Sequence, residues 1–330
     1  MRCSMKYKFS VVFMCTLILF VVVVLFALLN GKLGISSAQL WHKIATGHDN
    51  QIDAIIDLRL PRIIVAICAG AALSVAGAYL QAVLKNLLAD ASIIGIGVSS
   101  GALVAKALVM TLMPTLFFYM PIISFIGGLL PFTLLFYLQH RYPLNPMRML
   151  LVGVSMYAML NGMLEYLTAN PAVRLSAGLS LKVWKDAAQI SVTTCIGLIL
   201  AITVIFQANM LGFDDRQAHN LGFPIQRYRM WIGLIAVFLA SSAVAVAGAM
   251  AFVGLIVPHI ARRLVGSDYK KVVICCVLFG AIGVLLADTL GRLMSRQFEV
   301  PAHIITVIIG GPYLIYLICK GAYRNEYQQR

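Results

Sequence analysis

The chain has 330 residues, of which 61% are hydrophobic and only 12% are charged. Soluble domains carry about a quarter charged residues and about half apolar ones, so this composition excludes a water-soluble fold and indicates a polytopic membrane protein. The formal net charge is +14, but the basic residues stand in short clusters between apolar runs. Such clusters are typical of membrane orientation signals and not of a nucleic-acid-binding surface.

The N-terminus is the first predicted element. The stretch "MRCSMKYK" precedes a run of uncharged residues from Phe9 to Leu29. That run is too long for the apolar part of a cleaved signal peptide, and no small-residue cleavage site follows it. We interpret it as a retained membrane helix whose N-terminus lies in the cytoplasm.

Apolar runs of membrane-spanning length recur along the rest of the chain. About 20 apolar residues cross a bilayer as a helix. On this criterion the sequence predicts ten membrane helices, at 9–29, 63–84, 91–112, 115–138, 149–168, 187–211, 230–247, 249–261, 272–290 and 302–319. We therefore expect an all-α polytopic fold in which residues 1–330 form a single transmembrane domain.

The seventh and eighth runs are separated on stereochemical grounds. The stretch from Met230 to Ala261 is too long for one span at about 1.5 Å per residue. It contains Gly248, Gly254 and Pro258. We divide it into a full helix and a short one, and we expect Pro258 to break a helix.

The distribution of lysine and arginine predicts the orientation. With the N-terminus inside, sixteen of these residues lie in inner segments and nine in outer segments. Cytoplasmic loops of membrane proteins carry the excess of Lys and Arg, so the count favours cytoplasmic N- and C-termini. The stretch "DLRLPR", from Asp57 to Arg62, is an exception because it places two arginines on the outer side.

Small residues at helical spacing indicate close helix packing. Gly70, Ser74 and Gly77 follow this pattern in the second run, and Gly95, Gly97 and Gly101 follow it in the third. Such residues let neighbouring backbones approach closely in a membrane.

Ionisable residues at membrane depth are few, and each is a candidate functional residue. They are Lys106, Glu165, Asp288, His259 and His303. The chain has no phosphate-binding GxxxxGK[ST] loop and no recognisable catalytic motif. We interpret both histidines as structural, and Asp288 as a partner of Arg292 one helical turn later.

The inner segment from Gly212 to Arg229 is the most informative polar stretch. Asp214 or Asp215 can cap a helix start, Gly222 can end it, and Pro224 follows. The pattern predicts a short cytoplasmic helix of about two turns. From the residues alone, this helix either turns the chain around or docks on a soluble partner such as an ATPase.

Seven stretches along the chain carry a family resemblance. They are "LRLPR" (58–62), "GAALSVAGAYLQAVLKNLLAD" (70–90), "GIGVSSGA" (95–102), "DDRQAHNLGF" (214–223), "GAMAFVGLIVPHIARRLVGSDYK" (248–270), "ADTLGR" (287–292) and "EVPAHIITVIIGGPYLIYLI" (299–318). Together they resemble the iron-siderophore, haem and vitamin B12 permeases of binding-protein-dependent ABC importers. Within that family, the chain looks most like the haem-uptake permeases of Gram-positive iron-regulated surface systems.

The resemblance implies a type II ABC importer permease of ten helices in the bacterial plasma membrane. Implied partners are a second permease chain (a copy or a paralogue), two cytoplasmic ATPase subunits, an extracellular substrate-binding lipoprotein and membrane lipid. ATP and Mg²⁺ would be held by the ATPase alone, so the chain would be no enzyme and hold no permanent cofactor. Its cargo would be an iron complex, with haem first, ferric hydroxamate siderophore second and vitamin B12 third. An ATP-independent secondary carrier is the alternative from another class.

The resemblance also assigns site residues. Outer-face arginines that dock the binding protein are Arg59, Arg62 and Arg292. The ATPase-coupling helix falls on 212–229 and includes Asp214, Asp215, Arg216, Ala218, Leu221 and Gly222. The cytoplasmic gate falls on Asn86 and Leu88, although the family's proline between these two positions is replaced here by Leu87. Without that proline the gate turn is less rigid.

Overall fold

The protein was analysed as a computed structural model, which describes residues 2–30, 50–85, 98–142, 146–169, 178–179, 181–213, 220, 222–294 and 299–328. All regular structure in these residues is helical. The α-helices are α1 (Arg2–Leu29), α2 (Asn50–Val83), α3 (Val98–Leu112), α4 (Met120–Arg141), α5 (Pro146–Leu167), α6 (Trp184–Thr203), α7 (Ile205–Met210), α8 (Ile225–Ala247), α9 (Val253–Val265), α10 (Tyr269–Met294) and α11 (Ala302–Gln328), and a 3₁₀ helix spans Pro114–Tyr119.

The helices confirm a multi-pass membrane protein. Six described helical segments are long and apolar enough to cross a bilayer: Phe9–Leu29, Asp57–Val83, Met120–Leu138, Trp184–Thr203, Ile225–Ala247 and Tyr269–Met294. Val98–Leu112 and Ala302–Leu317 are shorter apolar helices. Each of the ten predicted runs is mostly helical over its described part, so ten is an approximate count of spans.

Helix α2 lies at the centre of the bundle. It packs against α6, α8, α9 and α10, and most of its Asp57–Val83 segment is buried. The close packing depends on small residues, as the sequence predicted. A Cβ added to Gly70 would lie 2.1 Å from the Gly280 carbonyl oxygen, and one added to Gly77 would lie 2.0 Å from that of Gly254. The Ser74 hydroxyl donates a 2.7 Å hydrogen bond to the Cys276 carbonyl in α10.

The break between α8 and α9 confirms the predicted division, but its cause differs. Helix α8 ends at Ala247, and Gly248 follows with φ 83°. Residues 248–252 form the turn, and Phe252 begins α9 with φ 69°. The expectation that Pro258 breaks a helix is wrong, because Pro258 lies inside α9. A glycine with positive φ ends α8 without a steric penalty, whereas the proline costs α9 one internal hydrogen bond.

Two further boundaries differ from the predicted runs. Helix α2 includes Pro61 and continues outward past the "DLRLPR" stretch, so Arg59 and Arg62 lie within the helix and not ahead of it. The predicted run 187–211 divides at Val204 into α6 and α7. Apolar length alone could not locate either boundary.

Candidate functional site

An ion-pair cluster, here called the outer cluster, joins α2, α10 and the segment that precedes α11. It consists of Arg59, Arg62, Asp288, Arg292 and Glu299, at the end of the bundle that the charge count assigns to the outside. Arg62 Nη2 and Nε donate to the Asp288 carboxylate at 2.8 and 3.0 Å. This paired geometry suits a guanidinium and a carboxylate. The Asp288 side chain is only 1% exposed.

Glu299 and Arg292 form the other ion pairs of the outer cluster. Arg62 Nη1 donates to Glu299 Oε2 at 2.7 Å, and the Glu299 side chain is 28% exposed. Arg292 Nε lies 3.4 Å from Asp288 Oδ2, one helical turn away in α10. The predicted pairing of Asp288 with Arg292 is therefore confirmed. Sequence reasoning missed the stronger pairing with Arg62, because the two residues are 226 positions apart.

Two of the arginines also bind the outer end of α1. Arg59 Nη1 donates to the Leu28 carbonyl at 2.7 Å, and Arg292 Nη2 lies 3.5 Å from the Ala27 carbonyl. The last four carbonyls of a helix lack partners within it, and they carry the negative end of the helix dipole. The two guanidinium groups therefore stabilise the end of α1 and attach it to the core.

The three arginines predicted to dock a binding protein are largely buried. Arg59 and Arg292 are buried, and the Arg62 side chain is 12% exposed. All three arginines are bound within the chain. The structure thus assigns them an internal positioning role, and their role in docking a binding protein stays a prediction.

A cavity of about 250 Å³ adjoins the outer cluster. Its wall includes Arg62 and Asp288, the α8–α9 turn at Gly248 and Met250, and His303 of α11. Nearby, the buried Lys106 Nζ donates to the Ala245 carbonyl at 2.7 Å, which satisfies a carbonyl near the end of α8. Lys106 thus contributes to the packing of α3 on α8.

Lys182, which lies beside this region, has a lowered pKa. Lys182 lies in the segment before α6, close enough to Lys106 for the two charges to interact. Burial lowers the pKa of Lys182, and the nearby Asp186 carboxylate partly opposes that shift.

A second set of polar residues, here called the inner cluster, lies at the opposite end of α2. It consists of Gln81, Asn209, Arg262 and Tyr269. Arg262 donates to the Gln81 side-chain oxygen and, at 3.3 Å, to the Tyr269 hydroxyl. Gln81 Nε2 donates to the Gly254 carbonyl at 3.3 Å. That carbonyl has no helical donor because residue 258, four positions later, is a proline. Sequence reasoning missed this cluster, although Pro258 and the basic pair at 262–263 were visible signals.

Hydrogen bonds also connect the region of the inner cluster to the start of the predicted coupling segment. The Tyr269 amide donates to Asn209 Oδ1 at 2.9 Å, at the first turn of α10. Lys85 Nζ donates to the Phe213 carbonyl at 2.8 Å and so joins the end of α2 to residue 213. A cavity of about 570 Å³ lies between these residues.

Most of the predicted coupling and gate residues lie outside the described residues. These are Asn86, Leu88, Asp214, Asp215, Arg216, Ala218 and Leu221. Gly222 is described, and its φ of 71° is a conformation that favours glycine after a helix. Residues 225–229 of the predicted segment 212–229 belong to α8, so that boundary differs from the prediction. A coupling helix in the rest of 212–229 remains a prediction.

Comparison with known proteins places this arrangement in a family. The FecCD transport family matches residues 18–320. The chain belongs to the FecCD transport family. This membership covers α2 to α10 and both polar clusters, so the family resemblance of the sequence is confirmed.

The FecCD chain has relatives of nearly the same length. It is 46% identical over 315 residues to the probable heme-iron transport system permease protein IsdF of Staphylococcus aureus (strain bovine RF122 / ET3-1), which covers 96% of this chain and 97% of that protein. The identity and coverage are the same for the protein of that name from strain Newman.

A solved structure supports the fold. It is described as an inward-facing conformation of a metal-chelate type ABC transporter, with TM-score 0.78 and 24% identity, and the likeness covers 94% of this chain and 99% of that one. At this identity the likeness shows the fold alone. The predicted all-α polytopic fold of the FecCD chain is confirmed.

Proposed function

We propose that the chain is the permease subunit of a binding-protein-dependent ABC importer that moves an iron complex across the plasma membrane. The observation that carries the proposal is 46% identity, over 96% of the chain, to the probable heme-iron permease IsdF. Haem is accordingly the first cargo to test, ahead of ferric hydroxamate siderophores and vitamin B12.

The geometry of the single chain supports a pathway shared with a second permease chain. The outer cavity of about 250 Å³ is smaller than the range of about 300–1,000 Å³ that is usual for small-molecule pockets. This small size supports a path for a bulky iron complex that is completed by another subunit. We propose a permease dimer, either of two copies or of two paralogues.

The energy would come from two cytoplasmic ATPase subunits that hold ATP and Mg²⁺. The chain's own part is to provide a path and to change which side of that path is open. We propose that a coupling helix within 212–229, in the part that precedes α8, contacts the ATPase and that Asn86 and Leu88 close the inner end of the path. The inner cluster supports this proposal, because Lys85 and Asn209 join the chain next to the coupling segment with α2 and α10.

The proposal includes an extracellular binding lipoprotein that delivers the cargo to the outer cluster. Arg59, Arg62 and Arg292 are the proposed docking residues. Arginine pairs with carboxylates in a defined geometry, and such pairs at a rim contribute chiefly to orientation and association rate.

The function is tested by reconstitution of the permease with its ATPase and binding protein in liposomes. We expect ATP-dependent accumulation of haem, with weaker or no accumulation of ferric hydroxamates and vitamin B12. Stimulation of ATP hydrolysis by each loaded binding protein provides a second measurement. Uptake that persists without the ATPase would contradict the proposal and favour a secondary carrier.

Substitutions in 214–223 should abolish ATPase co-purification or coupling while binding-protein capture persists.

A further inference from the structure

A groove of about 590 Å³ lies between α4 and α8 on the surface of the bundle. Phe132, Phe136 and Leu234 are among its lining residues, with Tyr137 and Met230 exposed beside them. Both helices are long and apolar enough to span a membrane, so a surface groove between them is in position to open toward lipid. Its occupant must therefore be compatible with lipid on the exposed side.

Close packing of the two helices forms the floor of the groove. The ring of Phe132 lies directly on the α8 backbone at Gly233, where an added Cβ would lie 2.2 Å from Phe132 Cζ. Phe132 also contacts Phe136, with ring centroids 5.7 Å apart. The floor at Phe132 and Phe136 is thus aromatic and apolar, which suits a hydrocarbon chain better than a polar ligand.

The polar end of the groove is basic. Arg227 and Gln226 of α8 line it, and Arg227 is exposed. On α4, the exposed Arg141 lies four residues after the groove residue Tyr137, so the two share a helix face. Both arginines lie at the end that the charge count assigns to the cytoplasm.

The dimensions match one leaflet of a bilayer. Leu234 and Arg227 are separated by about 10 Å along the axis of α8, at about 1.5 Å per residue. Half of the hydrocarbon core is about 15 Å thick. The groove therefore fits within one leaflet. Its apolar length and the guanidinium groups at its inner end complement the acyl chain and the phosphate of a phospholipid in the inner leaflet.

We propose that this groove binds an anionic phospholipid of the inner leaflet. An acyl chain lies along Phe136, Met230 and Leu234, and the phosphate is held by Arg141 and Arg227. Basic pockets between membrane helices on the cytoplasmic side favour anionic head groups. A second copy of the chain fits less well, because a symmetric dimer through this face would bring the same arginines together at the same membrane depth.

The head-group contact is tested with the double variant Arg141→Gln/Arg227→Gln. The matched control is Arg263→Gln, which removes an exposed arginine at the inner end of α9, outside the groove. Added phosphatidylglycerol should raise the unfolding temperature of the wild-type chain and of the control by about 2–4 °C more than phosphatidylcholine does. The double variant should lose most of that difference, and mass spectrometry should show at least a twofold loss of co-purified anionic lipid.

A second variant tests the acyl-chain contact without changing charge. Met230→Trp fills the groove at an exposed position and leaves both arginines in place. It should reduce the bound lipid as the double arginine variant does. Equal stabilisation by inorganic phosphate alone would overturn the proposal in favour of a simple anion site. An increase of cross-linked chain pairs in Thr133→Cys over the wild type would overturn it in favour of a second copy, and unchanged lipid binding in both groove variants would also overturn it.

Discussion

Asp288 is the residue on which the outer cluster depends. Its carboxylate is buried and accepts two hydrogen bonds from Arg62, while Arg292 approaches it from the next turn of α10. A buried carboxylate is stable only when its charge is paired and its lone pairs are satisfied. Asp288 therefore holds two arginines in place, and one of these arginines also binds the outer end of α1.

We expect Asp288→Asn to destabilise the protein strongly. The variant leaves Arg62 and Arg292 buried with one partner charge removed, which typically costs about 3–5 kcal/mol of unfolding free energy. Asp57→Asn is the control, because it makes the same change at an exposed carboxylate on the outer end of α2 and should change stability by less than about 0.5 kcal/mol. Thermal unfolding in lipid nanodiscs measures both. Equal unfolding temperatures for the two variants would show that the pair contributes nothing to stability.

At the scale of elements, α2 is held by small residues on its neighbours. Gly280 of α10 meets Gly70 at backbone contact distance, and Gly254 of α9 meets Gly77 in the same way. In a membrane, helix association depends on such close packing, because lipid is as apolar as the helix surface. The positions of these glycines therefore determine how deeply α2 sits in the bundle.

We expect Gly280→Ala to destabilise the α2–α10 contact. The new methyl group would lie 2.2 Å from the Gly70 carbonyl oxygen, and overpacking of this kind costs about 1–3 kcal/mol. Gly283→Ala, one turn later in the same helix, meets no atom within 4 Å and should be neutral or stabilising by up to about 1 kcal/mol. Unfolding temperatures of the two variants make the comparison. If Gly280→Ala is no less stable than Gly283→Ala, the close contact is not required.

At the scale of the whole molecule, the two polar clusters lie at opposite ends of α2. The outer cluster joins α2 to α1, α10 and the segment before α11. The inner cluster joins α2 to α9 and α10, and the neighbouring Lys85 joins it to Phe213. Movement of α2 would therefore alter both ends together. This arrangement is one that the proposed coupling between an outer binding protein and an inner ATPase would require.

We expect the double variant Arg59→Glu/Arg292→Glu to weaken capture of the binding protein. If the arginines attract acidic residues on the partner, the deficit should become smaller as salt is raised, because salt screens the attraction between charges on two separate proteins as they approach. The neutral double variant Arg59→Gln/Arg292→Gln is the control for loss of the α1 attachment. Binding kinetics on immobilised permease measure both variants. Equal, salt-independent losses would show that the arginines only position α1.

The sequence by itself determined the fold class and the approximate number of helices. Apolar length is a local property, so the ten runs and the turn at Gly248 could be recognised without knowing their neighbours. The spacing of Gly70, Ser74 and Gly77 also predicted close packing correctly. The pairing of Asp288 with Arg292 was predictable because one helical turn separates them.

Only the tertiary structure decided which distant residues meet. Arg62 binds Asp288 and Glu299 across 226 and 237 positions, and Gln81 reaches the carbonyl that Pro258 leaves unpaired. No periodicity encodes such contacts, because they depend on how α2, α9 and α10 are placed. The same placement buries arginines that the sequence located at the outer rim. It also forms the groove between α4 and α8, since a groove is a property of two packed helices and not of either one.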